Sequence, residues 1–313
     1  MRATFLLLST AALLACGASP AIKLTGYFCA SCPSTPDPNS IILSLPAVYS
    51  TVIFAFVGWD ASGNVLNQYD DPTKQFTLNA SIVSALRAQG RRVLISAGGG
   101  AGNVLSGPPP AGFVDNFAGG LSSLIATLGV DGVDFDLENF EGDPVKAVGD
   151  GGIRDVIRAL RSQHPRLLVT LAPQMTDVFP DYNQITSGFN RYVPLVDDSF
   201  ISEIDAVMPQ MYNSWSSVET IAYAKTYAYE LANGFSVTSP GFVFNVTLSP
   251  SKVWLGFPAS RSAAGSGYIN PTDVASMVRA LAANNTILGG LMTWDIGWDQ
   301  QSQYAFANAV AAG

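Results

Sequence analysis

The sequence predicts a single α/β domain folded as a TIM (β/α)8 barrel, and three observations carry that prediction. Eight apolar, strand-forming runs alternate with segments of helical periodicity over 313 residues, a length at which such barrels form one domain. Glycine, proline and asparagine punctuate the gaps between runs. Polar and aromatic residues gather at the carboxyl ends of the runs, the face where barrels place their chemistry. A doubly wound sheet is the alternative for the same alternation.

The runs follow in order. Ile22 to Phe28 is the first strand, followed by a Cys-, Pro- and Ser-rich loop to Ser40, and Val48 to Val57 is the second. Ile82, Val83 and Leu86 have helical spacing with a stop at Gly90, and Arg92 to Ala97 is a continuous apolar strand running into Gly98-Gly99-Gly100. Phe113, Phe117, Leu121, Leu124, Ile125 and Leu128 mark one helix face, closed by Gly129. The fourth strand then begins. Ile153, Val156, Ile157 and Leu160 mark a helix stopped before Pro165, and Leu167 to Pro173 and Ile204 to Tyr212 are the fifth and sixth strands. Ser216 and Glu219 have capping-box spacing for a helix through Leu231. Lys252 to Pro258 is the seventh strand, and Asn270-Pro271 supplies an N-cap and an N1 proline for the helix carrying Val274, Met277, Val278 and Leu281. Ile287 to Trp294 is the eighth strand and Gln301 to Ala311 a closing helix.

The fourth strand is the unusual one. Gly129-Val130-Asp131-Gly132-Val133-Asp134-Phe135-Asp136-Leu137-Glu138-Asn139 places four carboxylates in eight residues of an apolar run. Side chains alternate across a strand, so Asp134, Asp136 and Glu138 share one face and Val133, Phe135 and Leu137 the other. Acids are poor strand residues, and like charges on one face repel more as the dielectric falls. The run is therefore read as a catalytic carboxylate array, with Asp131 as a brace at the strand start.

Whole-chain chemistry narrows the function. Lys+Arg 16 against Asp+Glu 24 gives a net charge of −8, and no basic stripe exists in the sequence to neutralise phosphates, so a nucleic-acid partner is excluded. Residues 1–18 have the layout of a secretory signal peptide: Arg2, an apolar run from Phe5 to Ala15, then small residues. That run is too short for a membrane span. Leu13-Leu14-Ala15-Cys16 also resembles a bacterial lipoprotein box, which makes lipid anchoring through Cys16 the alternative to free secretion. Asn79, Asn245 and Asn284 head glycosylation sequons. Without the leader, Cys29 and Cys32 are the remaining cysteines, and with one histidine, His164, no metal set is legible. A local disulfide in an oxidising compartment is the expectation, and a free thiol pair the alternative.

Asp131-x-x-Asp134-x-Asp136-x-Glu138 at the end of the fourth strand resembles the signature of glycoside hydrolase family 18, the chitinase family. Ser96-Ala97-Gly98-Gly99, Ala172-Pro173-Gln174, Met208-Pro209-Gln210-Met211-Tyr212-Asn213 and Gly290-Leu291-Met292-Thr293-Trp294-Asp295 resemble its third, fifth, sixth and eighth strand endings, and the likeness spans residues 22–313. The Gln-x-Tyr-Asn ending of the sixth strand is similar to the hevamine-type branch. Only Ala259 to Thr286 separate the last two strands, too few for the α+β domain that deep-cleft members insert. The resemblance thus implies a shallow, open groove and endo-acting cleavage.

What the resemblance implies for chemistry is specific. Glu138 is the general acid and base, and the substrate's own 2-acetamido group supplies the nucleophile. Asp136 orients that group while sharing protons with Asp134, and Tyr212 hydrogen-bonds it. Tyr27, Gly98, Gly99, Gln174, Met208, Gln210, Asn213 and Trp294 are the implied substrate-binding positions, Trp294 as an aromatic floor and the two glycines by letting backbone pack closely. Phe179, Tyr182 and Trp215 are candidate grips for insoluble substrate, or packing residues of the rim. Cis peptides are implied at Ala55-Phe56 and Trp294-Asp295. The partner is chitin or another N-acetylglucosamine polysaccharide, the expected state a monomer, and no cofactor is called for. An N-glycan-releasing endo-β-N-acetylglucosaminidase and a non-catalytic chitin-binding lectin are the alternatives.

Overall fold

The structure is a computed structural model that describes residues 22–67, 73–101, 103–214 and 219–312. The predicted leader, Cys16, Trp215 and Ser216 lie outside the described residues. Eight parallel strands form the frame: β1 (Leu24–Cys29), β2 (Tyr49–Trp59), β3 (Arg92–Gly98), β4 (Gly132–Asp136), β5 (Leu168–Leu171), β6 (Ala206–Val207), β7 (Trp254–Pro258) and β8 (Gly290–Trp294). They pair in the order β7-β8-β1-β2-β3-β4-β5-β6. Parallel bridges Val207–Val253 and Gln210–Gly256 bring β6 against β7, so the ring is nearly closed. The doubly wound alternative would leave two free edges, so this is the single-domain barrel.

Period-2 alternation sorts the strands' side chains into two apolar zones. Phe28, Phe54, Val93, Phe135 and Leu255 face outward onto the helices and are buried there. Tyr27, Ile53, Leu94, Met208 and Met292 fill the inside of the barrel. Helices Phe113–Leu128 and Ile153–Gln163 cover the segment that carries the acids, the first ending on Gly129 at φ 72°, a left-handed conformation that favours glycine. Asn270 caps helix Pro271–Ala283 through Thr272 N, with proline at its first turn as expected.

Four local expectations change. The sixth strand shortens to two residues because Pro209 has no amide hydrogen and the chain beyond it pairs only through isolated bridges at Gln210. Glu219 does not close a capping box: its carboxylate accepts from Ser214 N and Ser266 Oγ, and helix Ile221–Asn233 is capped by Thr220. The closing helix is two, Ile296–Gln301 and Ala305–Ala311, broken where Gln303 and Tyr304 take positive φ. Buried Asp299 explains the break, since it accepts from Phe306 N, Ala307 N and the hydroxyl of Tyr49. A hairpin, Phe235–Ser239 with Phe242–Val246, fills a gap read as connection. Its Phe242 and Val243 are exposed, so it lacks the clean apolar alternation that marks a strand in sequence.

Candidate active site

At the carboxyl end of the barrel, β4 brings the acids inward. Asp134 is fully buried and accepts three hydroxyls: Tyr27 from β1 at 2.6 Å, Ser96 from β3 at 2.7 Å and Thr170 from β5 at 2.7 Å. Ser96 and Thr170 lie directly across the ladders from it, so strand register alone delivers them. Burial lifts Asp134 to a pKa of about 6, and the three hydroxyl donors oppose the rise. Asp136 is also buried and accepts from Gln210 Nε2 at 2.8 Å. Its pKa is raised by burial first, then by the charge of Glu138, then by that of Asp134.

Asp134 and Asp136 act on each other through charge. Among the described residues no hydrogen bond joins them, because hydroxyls occupy both oxygens of Asp134. The stronger charge neighbour of Asp136 is Glu138.

Glu138, just past the end of β4, is the half-buried member. Its Oε2 accepts from Gln174 Nε2 at 3.0 Å. Burial raises its pKa, while Gln174 and the Arg191 guanidinium pull it down. A small parallel ladder between Val104–Gly107 and Asn139–Gly142 ties the loops after β3 and β4 together beside it.

The other expected residues divide. Tyr27, Phe56 and Trp294 form an aromatic group, with Trp294 stacked on Phe56 at 5.6 Å and 20° and tilted against Tyr27 at 5.6 Å. Tyr212 is buried, its hydroxyl pKa is raised by burial and then by the charges of Asp136 and Glu138, and that hydroxyl has no partner among the described residues. Gln210 bridges Asp136 to Ala172 O. Met208 lies in the barrel interior. Asn213 is exposed, and its Oδ1 accepts from Gly265 N at 2.9 Å, which makes it a brace between rim loops. Gly98 and Gly99 are packing positions: a Cβ on Gly98 would sit 1.9 Å from Asp136 O, and one on Gly99 2.7 Å from the Phe56 ring. The Ala55–Phe56 and Trp294–Asp295 peptides are cis. Cys29 and Cys32 are joined in a disulfide in the loop after β1.

Asp131 braces the strand start, accepting from Val93 N at 2.9 Å and facing Arg87 and Arg92. Phe179 and Tyr182 both pack on Phe189, at 5.8 and 4.7 Å, as rim packing residues.

Several residues of the site escape a reading of the sequence. Thr170 and Ser96 acquire their roles from cross-strand register. Asp177, Arg191 and Tyr192 come from a short turn and a loop, Met175–Val178 and the segment before Val193–Val196, and meet β4 only in three dimensions. The 14-residue separation of Asp177 and Arg191 carries no periodic signal.

Acids of the fourth strand and the aromatic group of Tyr27, Phe56 and Trp294 gather at the carboxyl end of an eight-stranded barrel, a fold and site of the glycoside hydrolase class. The chain belongs to glycosyl hydrolases family 18, whose profile matches residues 23–307. Chitinase ChiA of Flavobacterium johnsoniae is 28% identical over 269 residues, 70% of this chain and 16% of that protein. Acidic endochitinase SE2 of Beta vulgaris is 29% identical over 284 residues, covering 84% of this chain and 83% of that one. A family GH18 chitinase from Chromobacterium violaceum superposes with a TM-score of 0.77 at 23% identity, over 93% of this chain and 83% of that one, a likeness of fold. The chain spans 16 to 62% of the length of the first three curated relatives it matches. Among the described residues no helix is long and apolar enough to cross a membrane.

Proposed function

We propose that the protein is a secreted endochitinase that hydrolyses β-1,4 bonds between N-acetylglucosamine units with retention, using Glu138 as general acid and base. One observation carries the reading: of the three acids on the inward face of the fourth strand, Asp134 and Asp136 are buried, Asp134 with both oxygens taken by hydroxyls, and Glu138 alone is half-exposed. A two-carboxylate glycosidase needs a second reachable carboxyl as nucleophile or base. One acid alone suits a substrate whose acetamido oxygen attacks the anomeric carbon.

The steps follow from the surroundings of each group. Burial favours the protonated form of Glu138, and its proton passes to the leaving glycosidic oxygen as that bond breaks. The acetamido carbonyl oxygen bonds to the anomeric carbon and gives an oxazolinium ion. Asp136, held by Gln210, is the group to accept from the acetamido N–H and balance the positive ring, and the Tyr212 hydroxyl, without a partner among the described residues, is the one to donate to the carbonyl. Glu138 then takes a proton from the water that opens the ion. Trp294 offers an apolar face for the sugar ring.

Secretion is supported by the layout of residues 1–18, by the Cys29–Cys32 disulfide and by exposure of Asn79, Asn245 and Asn284. The function is tested by hydrolysis of chitin oligomers and of an N-glycopeptide by the wild type and Glu138→Gln. Chitin oligomers are expected to be the better substrate, and the variant to lose about 10² to 10⁴ in rate. Undiminished cleavage by Glu138→Gln would refute the reading.

A further inference from the structure

The loop returning from β5 passes three consecutive side chains, Asn190, Arg191 and Tyr192, against the strand end that carries the acids. Asn190 closes the loop on itself, accepting from Phe179 N at 2.6 Å and donating to Tyr182 O at 2.6 Å. The Tyr192 hydroxyl donates to Phe135 O at 3.0 Å and accepts from Leu137 N, so it grips the backbone on both sides of Asp136. Arg191 donates to Glu138 O at 3.1 Å, and its guanidinium lies over the Phe140 ring at 4.6 Å. The same guanidinium is paired in two places with Asp177, Nε to Oδ1 at 2.5 Å and NH2 to Oδ2 at 3.0 Å. Asp177 is fully buried and has that arginine as its counter-ion.

Such a pair is costly to bury for stability alone, and removing either partner strands the other charge. Its location supplies a reason. Three backbone groups around the acids are met by these side chains, Phe135 O and Leu137 N by Tyr192 and Glu138 O by Arg191, while Gly99 N takes Asp136 O between them. We propose that Arg191 and Tyr192 are positioning residues for Glu138, and that buried Asp177 is the counter-charge that balances the field of Arg191 on it. The proposal rests on Glu138 being the working acid, and deepens that reading.

The charged and titratable groups facing Glu138 are Asp136 from its own strand, Tyr212 from beyond β6, Asp177 from the turn after β5, and Arg191. Arg191 favours the ionised carboxylate and Asp177 disfavours it, so removing each has the opposite effect. A purely structural role would move both the same way or neither.

The test labels the glutamate side-chain carboxyls with carbon-13 and follows Glu138 by NMR as a function of pH. The chain has five glutamates, so the Glu138 signal is assigned by its loss in Glu138→Gln. Arg191→Gln is expected to raise the Glu138 midpoint and Asp177→Asn to lower it, each by about one pH unit. The alkaline limb of the chitin-oligomer rate profile is expected to move with it. Arg191→Lys keeps the midpoint near the wild-type value while kcat falls with little change in KM, since one ammonium cannot make the fork of contacts. Identical midpoints in the wild type and Asp177→Asn overturn the proposal, and that comparison stands alone where Arg191→Gln fails to fold. The titration needs no turnover, so activity surviving in Glu138→Gln would remove the functional reading and still leave the clamp to be judged on its midpoints.

Discussion

Thr170 stands directly across the β4–β5 ladder from Asp134 and donates its hydroxyl to Asp134 Oδ1 at 2.7 Å. Opposing strands thus supply the donors that let a carboxylate sit inside a barrel, and the same burial sets how the fold responds to pH.

Asp134, Asp177 and Asp295 are each lifted by burial from 3.8 to about 6. In that range the native state holds protons that the unfolded chain has released, so stability falls as pH rises from about 4 to about 6. The thermal midpoint is expected to be higher near pH 4.5 than near pH 7 in a calorimetric series. Thr170→Val removes one donor from Asp134, costs about 1 to 2 kcal/mol, and carries that residue's share of the fall to higher pH. A stability that climbs steadily from pH 4 to 7 would contradict this account.

Gln174 is the one side chain that hydrogen-bonds the Glu138 carboxyl among the described residues. Gln174→Leu removes a donor that favours the ionised form, so the Glu138 pKa rises. Under the proposed mechanism the acid works protonated, so the alkaline limb of kcat/KM should move to higher pH, with a rate several-fold lower on the plateau. An unmoved limb in the pH profile would show that the bond does not govern the acid.

Trp294 shares a stack with Phe56 and leaves part of its ring accessible. Trp294→Ala should raise KM for chitin oligomers by about tenfold, and Trp294→Phe should recover most of that, because an apolar face is what the sugar needs. Steady-state kinetics on short oligomers separate the two; equal KM values for Ala and wild type would exclude a floor role.

Gly98 has φ +123°, and a Cβ there would lie 1.9 Å from Asp136 O. Gly98→Ala must push β3 away from β4 at the acids, so activity should be lost with several kcal/mol of stability. Gly119 in helix Phe113–Leu128 has nothing within 4 Å of its Cβ position, and Gly119→Ala should stabilise by up to about 1 kcal/mol. Denaturant titrations of the two variants make the comparison.

Period was the reliable signal in the sequence. Phe135 outward and Asp134 inward follow from alternation on one strand, and Phe117, Leu121 and Ile125 bury the helix face their spacing marks. Cues that depend on one side chain choosing between neighbours were weaker. Glu219 had the right spacing for a capping box, but Ser214 N and Ser266 Oγ claim its carboxylate. Asp299 was silent in sequence, yet it breaks the last helix by capping a new one at Phe306 and Ala307.

The sequence by itself determined the barrel, its eight strands, and the row of acids on the fourth, because alternation and helical spacing are local properties of the chain. Tertiary structure alone decided which acid stays half-exposed and what holds it there. Three hydroxyls on three different strands take up Asp134, Gln210 takes Asp136, and Glu138 is left half-exposed beside Gln174. The clamp of Asp177, Arg191 and Tyr192 belongs to the same category. Arg191 and Tyr192 lie 53 and 57 residues along the chain from the backbone oxygens they grip, and only closure of the barrel brings them within hydrogen-bond reach.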